Sequence, residues 1–132
     1  MSSGLSELAR AAAEVAKIGA TTLQMYFGQT TMAHATAKSP FDFVSAADQA
    51  SEQAMTEFIL THFPDDSIYA EEHSRQEAGK GNRWIIDPLD GTTNFLHGYP
   101  MFSVSVAVEH AGEIVAGAII DPLREELFLA ER

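Results

Sequence analysis

The chain has 132 residues, 45% of them hydrophobic, and no Cys, which suits one core, since a compact domain of this size buries roughly two thirds of its unfolded surface. A net charge of -11 argues against nucleic acid or an anionic membrane as the main partner, because both demand a positive face, and no apolar run approaches the ~20 residues that cross a bilayer. Without Cys there is no disulfide frame and no thiolate metal site, and Met1-Ser2-Ser3-Gly4 lacks the charge and apolar run of a signal peptide, so a cytoplasmic location is expected.

Leu5, Leu8, Ala12, Val15, Ala16, Gly19, Leu23 and Tyr26 recur at three- and four-residue steps, which predicts an amphipathic first helix stopped by Gly28. A polar stretch from Thr30 to Lys38 follows as an exposed strand or loop. Ser45-Ala46-Ala47-Asp48 has the form of a capping box and predicts a second helix that starts at Ser45 and stops before Pro64, with Phe58, Ile59 and Phe63 inward. The period then becomes strand-like. Ser67-Ile68-Tyr69-Ala70 is expected to deliver Glu71 from the end of one strand, as Trp84-Ile85-Ile86 delivers Asp87 from another. From Met101 to Glu109 the alternation is clean, with Phe102, Val104, Val106 and Val108 on one face and Ser103, Ser105 and Ala107 on the other. Ala111-Gly112 turns the chain into Glu113 to Ile120, and Arg124 to Ala130 makes a further strand. Short turns between these three runs point to an antiparallel meander covered on one face by the two helices, an α+β layered arrangement. No repeat or linker divides the chain.

Asp87-Pro88-Leu89-Asp90-Gly91-Thr92-Thr93-Asn94-Phe95 carries the chemistry. Acids are almost never fully buried unless paired or bound to metal, so two of them leaving an apolar strand call for a counter-charge. Carboxylates and a carbonyl, with no thiolate and no clustered His, select Mg²⁺ or Mn²⁺ over zinc or copper. Asp90 has the position to bridge two ions, with Asp87 and the Leu89 carbonyl beside it, because a Pro-Leu insert lets both Asp side chains turn to one side. Glu71 would complete the first ion. Two cations ~3.5–4 Å apart polarise phosphoryl oxygens, activate a water as nucleophile and stabilise the leaving alkoxide. They would also offset Glu71, Glu72, Asp87 and Asp90, which otherwise repel a phosphate. Gly91 removes a Cβ from the path of the phosphate, and a short helix opening at Thr92 would turn free N–H groups towards it.

Plainer readings stand beside these. Asp90-Gly91 alone is a common turn pair, although the flanking Asp87 and Thr-Thr-Asn-Phe weigh towards a site. Asp48 is a capping-box acid, a site residue, or both. Glu71-Glu72 is a site pair or a solvated acidic corner, with Glu72 the weaker candidate. The His residues are scattered and none is assigned. Two rivals fail on spacing. Haloacid dehalogenase-like phosphatases separate their two Asp by one residue, where Pro88 and Leu89 make two. A calcium loop begun at Asp87 would place Gly98 where a bidentate Glu is required.

The same nine residues resemble the signature of the inositol monophosphatase family. Three further stretches match in order: Lys38-Ser39-Pro40 running into Asp42-Phe43-Val44-Ser45 and Asp48, the pair Glu71-Glu72, and Asp121-Pro122-Leu123-Arg124-Glu125-Glu126-Leu127-Phe128. The resemblance spans nearly the whole chain. It implies a layered α/β sandwich of the inositol monophosphatase/fructose bisphosphatase type, with two helices on a mostly antiparallel sheet. It also implies lithium-sensitive hydrolysis of inositol monophosphate or a similar small phosphorylated alcohol, two or three Mg²⁺ ions (or Mn²⁺) in a complete site, and a homodimer in the full-length form. By position, the metal ligands would be Glu71, Asp87, Leu89 and Asp90, and Glu71 would also serve catalysis. Asp90, Gly91 and Thr92 would meet the substrate, and a hydrogen-bonded Asp48–Thr92 pair would help activate the water. Lys38 matches but is left outside the core site.

Family members are longer, and a Trp-Asp motif in their second half completes the second metal site. Here the one Trp is Trp84, which lies in the first half. Residues 1–132 are therefore expected to be the N-terminal metal-binding half, able to hold one ion and weakly active or inactive alone. The alternative is a non-catalytic metal-binding or assembly module of the same fold, with an uncovered apolar face prone to pairing. Inositol phosphates, sugar bisphosphates, histidinol phosphate and nucleotide phosphates all stay open as substrates.

Overall fold

Helix α1 (Glu7–Phe27) begins where Ser6 caps it, its Oγ accepting the Ala9 N–H at 3.1 Å, and the expected apolar stripe faces the core through Ala12, Val15, Ala16, Gly19 and Leu23. The computed structural model describes residues 6–27, 40–70, 73–74 and 81–132. The expected stop at Gly28, the Thr30–Lys38 stretch and Glu71-Glu72 lie outside those residues.

Helix α2 spans Pro40–His62, so it starts before the expected Ser45, and Ser45 and Asp48 are interior helical positions rather than a capping box. Proline explains the earlier start: its fixed φ suits the first helical position, where an N–H has no intrahelical partner to lose. The helix ends before Pro64, as expected.

Strands β1 (Ser67–Ala70), β2 (His73–Ser74), β3 (Arg83–Asp90), β4 (Ser103–His110), β5 (Glu113–Asp121) and β6 (Glu126–Glu131) follow, with a short helix α3 (Thr92–Leu96) between β3 and β4. They form one six-stranded sheet ordered β2-β1-β3-β4-β5-β6. The β4-β5-β6 meander is antiparallel. Its first hairpin closes with His110 opposite Glu113, and Ala111 and Gly112 both take positive φ, 52° and 83°, as a type I′ turn demands. Arg124 falls in the next turn, so β6 starts two positions later than expected. There Asp121 Oδ1 accepts the N–H groups of Leu123 and Arg124, both at 3.1 Å, and takes over the hydrogen bonding that a strand would have supplied.

Periodicity does not reveal that β1 and β3 are parallel, with Ile68 opposite Trp84 and Ala70 opposite Ile86. Both strands therefore leave the sheet at the same end. In sequence, Glu71 and Asp87 follow Ala70 and Ile86, the last pair of this β1–β3 ladder.

The two helices cover one face of the sheet. Trp84, Ile86, Val104, Val106, Val108, Ala116 and Ala118 are buried against them, and small residues on α1 let its backbone approach closely. A Cβ on Gly19 would stand 2.7 Å from Met55 Sδ, 3.0 Å from Ser51 Oγ and 3.1 Å from Val104 Cγ1, so α1, α2 and β4 meet at that point. The opposite face carries exposed Ile119 and Phe128, paired across β5 and β6.

A buried carboxylate fixes the start of β3. Asp66, 6% exposed, accepts Trp84 Nε1–H at 2.8 Å and the Asn82 N–H at 2.9 Å, while the Ser67 N–H donates to the Asn82 carbonyl at 3.0 Å. The entry to β1 and the entry to β3 are thus locked together by one acid.

Candidate active site

Asp87 and Asp90 stand three residues apart, and in a regular strand that spacing sends side chains to opposite faces. The register shows how the chain avoids this. Asp87 pairs with Ser105 and Asp90 with Ser103, so three steps along β3 match two along β4. This is a β-bulge with one extra residue in β3. Ser103 and Ser105 share a face of β4, hence Asp87 and Asp90 share one too, on the side away from the helices. Pro88 makes the irregularity inexpensive, since it has no N–H to contribute to the ladder.

The bulge's backbone groups find partners outside the ladder. The Leu89 N–H donates to Asp87 Oδ1 at 3.3 Å, the Thr92 hydroxyl donates to the Leu89 carbonyl at 3.5 Å, and the Ser51 hydroxyl of α2 donates to the Pro88 carbonyl at 3.0 Å. Pro88 and Leu89 are buried, Asp87 is half-buried, and Asp90 is exposed. The Leu89 carbonyl keeps a second lone pair for another partner.

Gly91 follows with φ 98° and ψ 39°, the left-handed region. An added Cβ would meet backbone on the far side, 3.1 Å from the Met101 carbonyl oxygen and 3.2 Å from Phe102 Cα. Helix α3 opens at once, and Phe95 N–H bonds the Gly91 carbonyl at 3.0 Å, so the N–H groups of Thr92, Thr93 and Asn94 are those a helix start leaves without an internal partner. An aromatic triangle holds this turn to the core: Phe95 lies 5.5 Å from Phe27 and 5.0 Å from Phe102, centroid to centroid, and Phe27 lies 5.1 Å from Phe102.

Asp87, Leu89, Asp90, Gly91 and Thr92 are thus gathered at one end of the sheet. Asp48 is half-buried on α2, which packs against α3. Glu71 lies outside the described residues. Among the described residues no group of three or more His, Cys, Asp or Glu is arranged to hold a metal ion. Two carboxylates turned to one side with a carbonyl between them are still an all-oxygen set of the kind a hard cation takes. The acidic motif does not point to Ser51, whose hydroxyl reaches the bulge from α2. Its signal was a polar residue at the head of the inward series Ser51, Met55, Ile59, spaced by four and buried throughout.

The family tail Asp121–Phe128 has a structural role. Partial burial opposes ionisation of Asp121, but the Arg124 guanidinium at 2.8 Å and the N–H groups of Arg124 and Leu123 outweigh it and hold the carboxyl below its ordinary range.

Helices on one face of a mixed sheet, with an acidic bulge running into a glycine turn at the end of an inner strand, define an α+β sandwich of the inositol monophosphatase type. The family model described as "Inositol monophosphatase family" matches residues 4–132, and the chain belongs to that family. It is 43% identical over 107 residues to an inositol-1-monophosphatase of Rhizobium meliloti, covering 80% of this chain and 40% of that protein. It is 47% identical over 98 residues to the Nus factor SuhB of Pasteurella multocida, covering 74% of this chain and 37% of that one. The crystal structure of the extragenic suppressor protein suhB from Bartonella henselae superposes with a TM-score of 0.83 at 36% identity, covering 96% of this chain and 49% of that chain. The chain therefore spans less than half the length of these relatives.

Proposed function

We propose that the chain is the N-terminal half, residues 1–132, of a Mg²⁺-dependent phosphomonoester hydrolase acting on inositol monophosphate or a similar small phosphorylated alcohol. The bulge carries this reading, because it turns Asp87 and Asp90 to one side with the Leu89 carbonyl between them. Those three groups and Glu71 would hold Mg²⁺, or Mn²⁺ in its place, and a complete site would take two or three ions. Bound there, the cation supplies Lewis-acid polarisation of the phosphoryl group and a more acidic water. Gly91 leaves room for the phosphate oxygens, and Thr92 donates to them or accepts the water's proton with Asp48 as its partner. Glu71 orients the same water. The longer protein would be cytoplasmic, lithium-sensitive and homodimeric, and the present chain alone weakly active or inactive.

A second reading, a non-catalytic metal-binding or assembly module, is favoured by the exposed Ile119 and Phe128 on the uncovered sheet face. One experiment addresses the shared metal site. Mg²⁺ should raise the thermal midpoint of the chain by linkage, and Asp90→Asn should remove most of that rise. A metal-dependent shift in calorimetry that is the same in Asp90→Asn and parent would overturn the ligand assignment.

A further inference from the structure

We infer that Ser51 is a positioning residue for the acidic bulge, tying the backbone that carries Asp87 and Asp90 to the helix layer. Its functional consequence rests on the metal-site reading above; its geometry does not. Ser51 is fully buried at 0% exposure, and its Oγ has three acceptors in reach: the Pro88 carbonyl at 3.0 Å, the Gly19 carbonyl at 3.4 Å and Met55 Sδ at 3.6 Å. A hydroxyl has one hydrogen, and the shortest of these contacts takes it.

The Pro88 carbonyl lies in the bulge, between the paired positions Asp87 and Asp90. Among the described residues, the Asp87 and Thr92 side-chain contacts to bulge backbone arise within the acidic loop itself. The Ser51 contact comes from α2 and, at 3.0 Å, is shorter than either of these. It sets how far the loop stands from the helix layer. Gly19 makes it possible, since a Cβ there would press to 3.0 Å from Ser51 Oγ. Removing the hydroxyl leaves a buried carbonyl with its partner gone, and a buried acceptor in that state moves to find water or another donor. Asp87 and Asp90 move with it.

Mg²⁺ and Mn²⁺ sites tolerate little displacement of their ligands, and the Pro88 carbonyl, though not itself a ligand, lies in the backbone between Asp87 and Leu89, so the scale for its loss is that of losing an outer partner of a ligand, ~10–100-fold in affinity. The test uses the 132-residue chain, Mn²⁺ binding followed by electron paramagnetic resonance, and two variants. Ser51→Ala should weaken Mn²⁺ binding by about tenfold or more and shift the amide resonances of Leu89, Asp90 and Gly91 in the metal-free chain. Thr56→Val is the control, because Thr56 Oγ1 is buried on the same helix with no hydrogen-bond partner among the described residues. It should leave both readouts unchanged. A Ser51→Ala chain that is less stable yet binds Mn²⁺ like the parent overturns the positioning role. If the parent binds no Mn²⁺, the metal-site reading fails, and the amide shifts alone decide whether Ser51 holds the bulge. If Ser51→Ala does not fold, the unsubstituted chain decides: the Ser51 hydroxyl proton should exchange slowly with solvent, and fast exchange overturns the anchor.

Discussion

Gly91→Ala tests the turn on which the candidate site is built. The substitution carries two separate costs. An L-residue held at φ 98° is strained by about 1–2 kcal/mol. Its Cβ would also stand 3.1 Å from the Met101 carbonyl oxygen and 3.2 Å from Phe102 Cα, both backbone, so no rotamer change relieves the contact, and overpacking of this kind costs about 1–3 kcal/mol. Together they predict a loss of about 2–5 kcal/mol, a large share of the ~5–15 kcal/mol that holds a typical domain together. Gly98 separates the two contributions. It has φ 72° and nothing within 4 Å of an added Cβ, so Gly98→Ala should lose only the strain of about 1–2 kcal/mol. Urea unfolding of the two variants, at matched slope, measures both. Equal losses would show that the turn does not press against the start of β4, and the account of how Gly91 is held beside Phe102 would be refuted.

Asp66→Ala removes the partner of the buried Trp84 Nε1–H and of the part-buried Asn82 N–H; at about 1–3 kcal/mol per orphaned donor the loss should be about 2–6 kcal/mol in urea unfolding, and a loss below about 1 kcal/mol would mean that this acid does not lock β1 to β3. Asp121 predicts a pH effect. Its carboxyl is held below the ordinary Asp value of 3.8, so the folded state binds its proton less readily than the unfolded chain does. The stabilisation is present above 3.8 and is lost as pH falls through the lower folded value. Asp121→Asn should flatten that part of the acid limb, and an NMR titration midpoint for Asp121 at or above 3.8 would contradict the turn geometry.

Much of the fold was legible locally. The alternation from Phe102 to Val108 sets which side chains of β4 are buried, and the three- and four-residue steps of α1 set its inward stripe, because each depends only on the repeat of the element itself. The Asp87–Phe95 run located the candidate site, since acids, Pro and Gly at that spacing constrain their own backbone. The start of α2 at Pro40 differs from the expected Ser45 because two local signals compete: Ser45 offers a side-chain cap, whereas Pro40 offers a backbone already set for the first turn. Glu71 rests on sequence alone, outside the described residues.

Tertiary structure decided what depends on partners distant along the chain. The parallel pairing of β1 with β3, Asp66 buried beneath Trp84, and Ser51 reaching the Pro88 carbonyl each join residues with no shared local pattern. The acidic bulge belongs to both levels. Sequence supplied Pro88 and the two acids, but their common face is set by Ser103 and Ser105 across the ladder, because the direction of a strand side chain is fixed only once its register with a neighbouring strand is chosen.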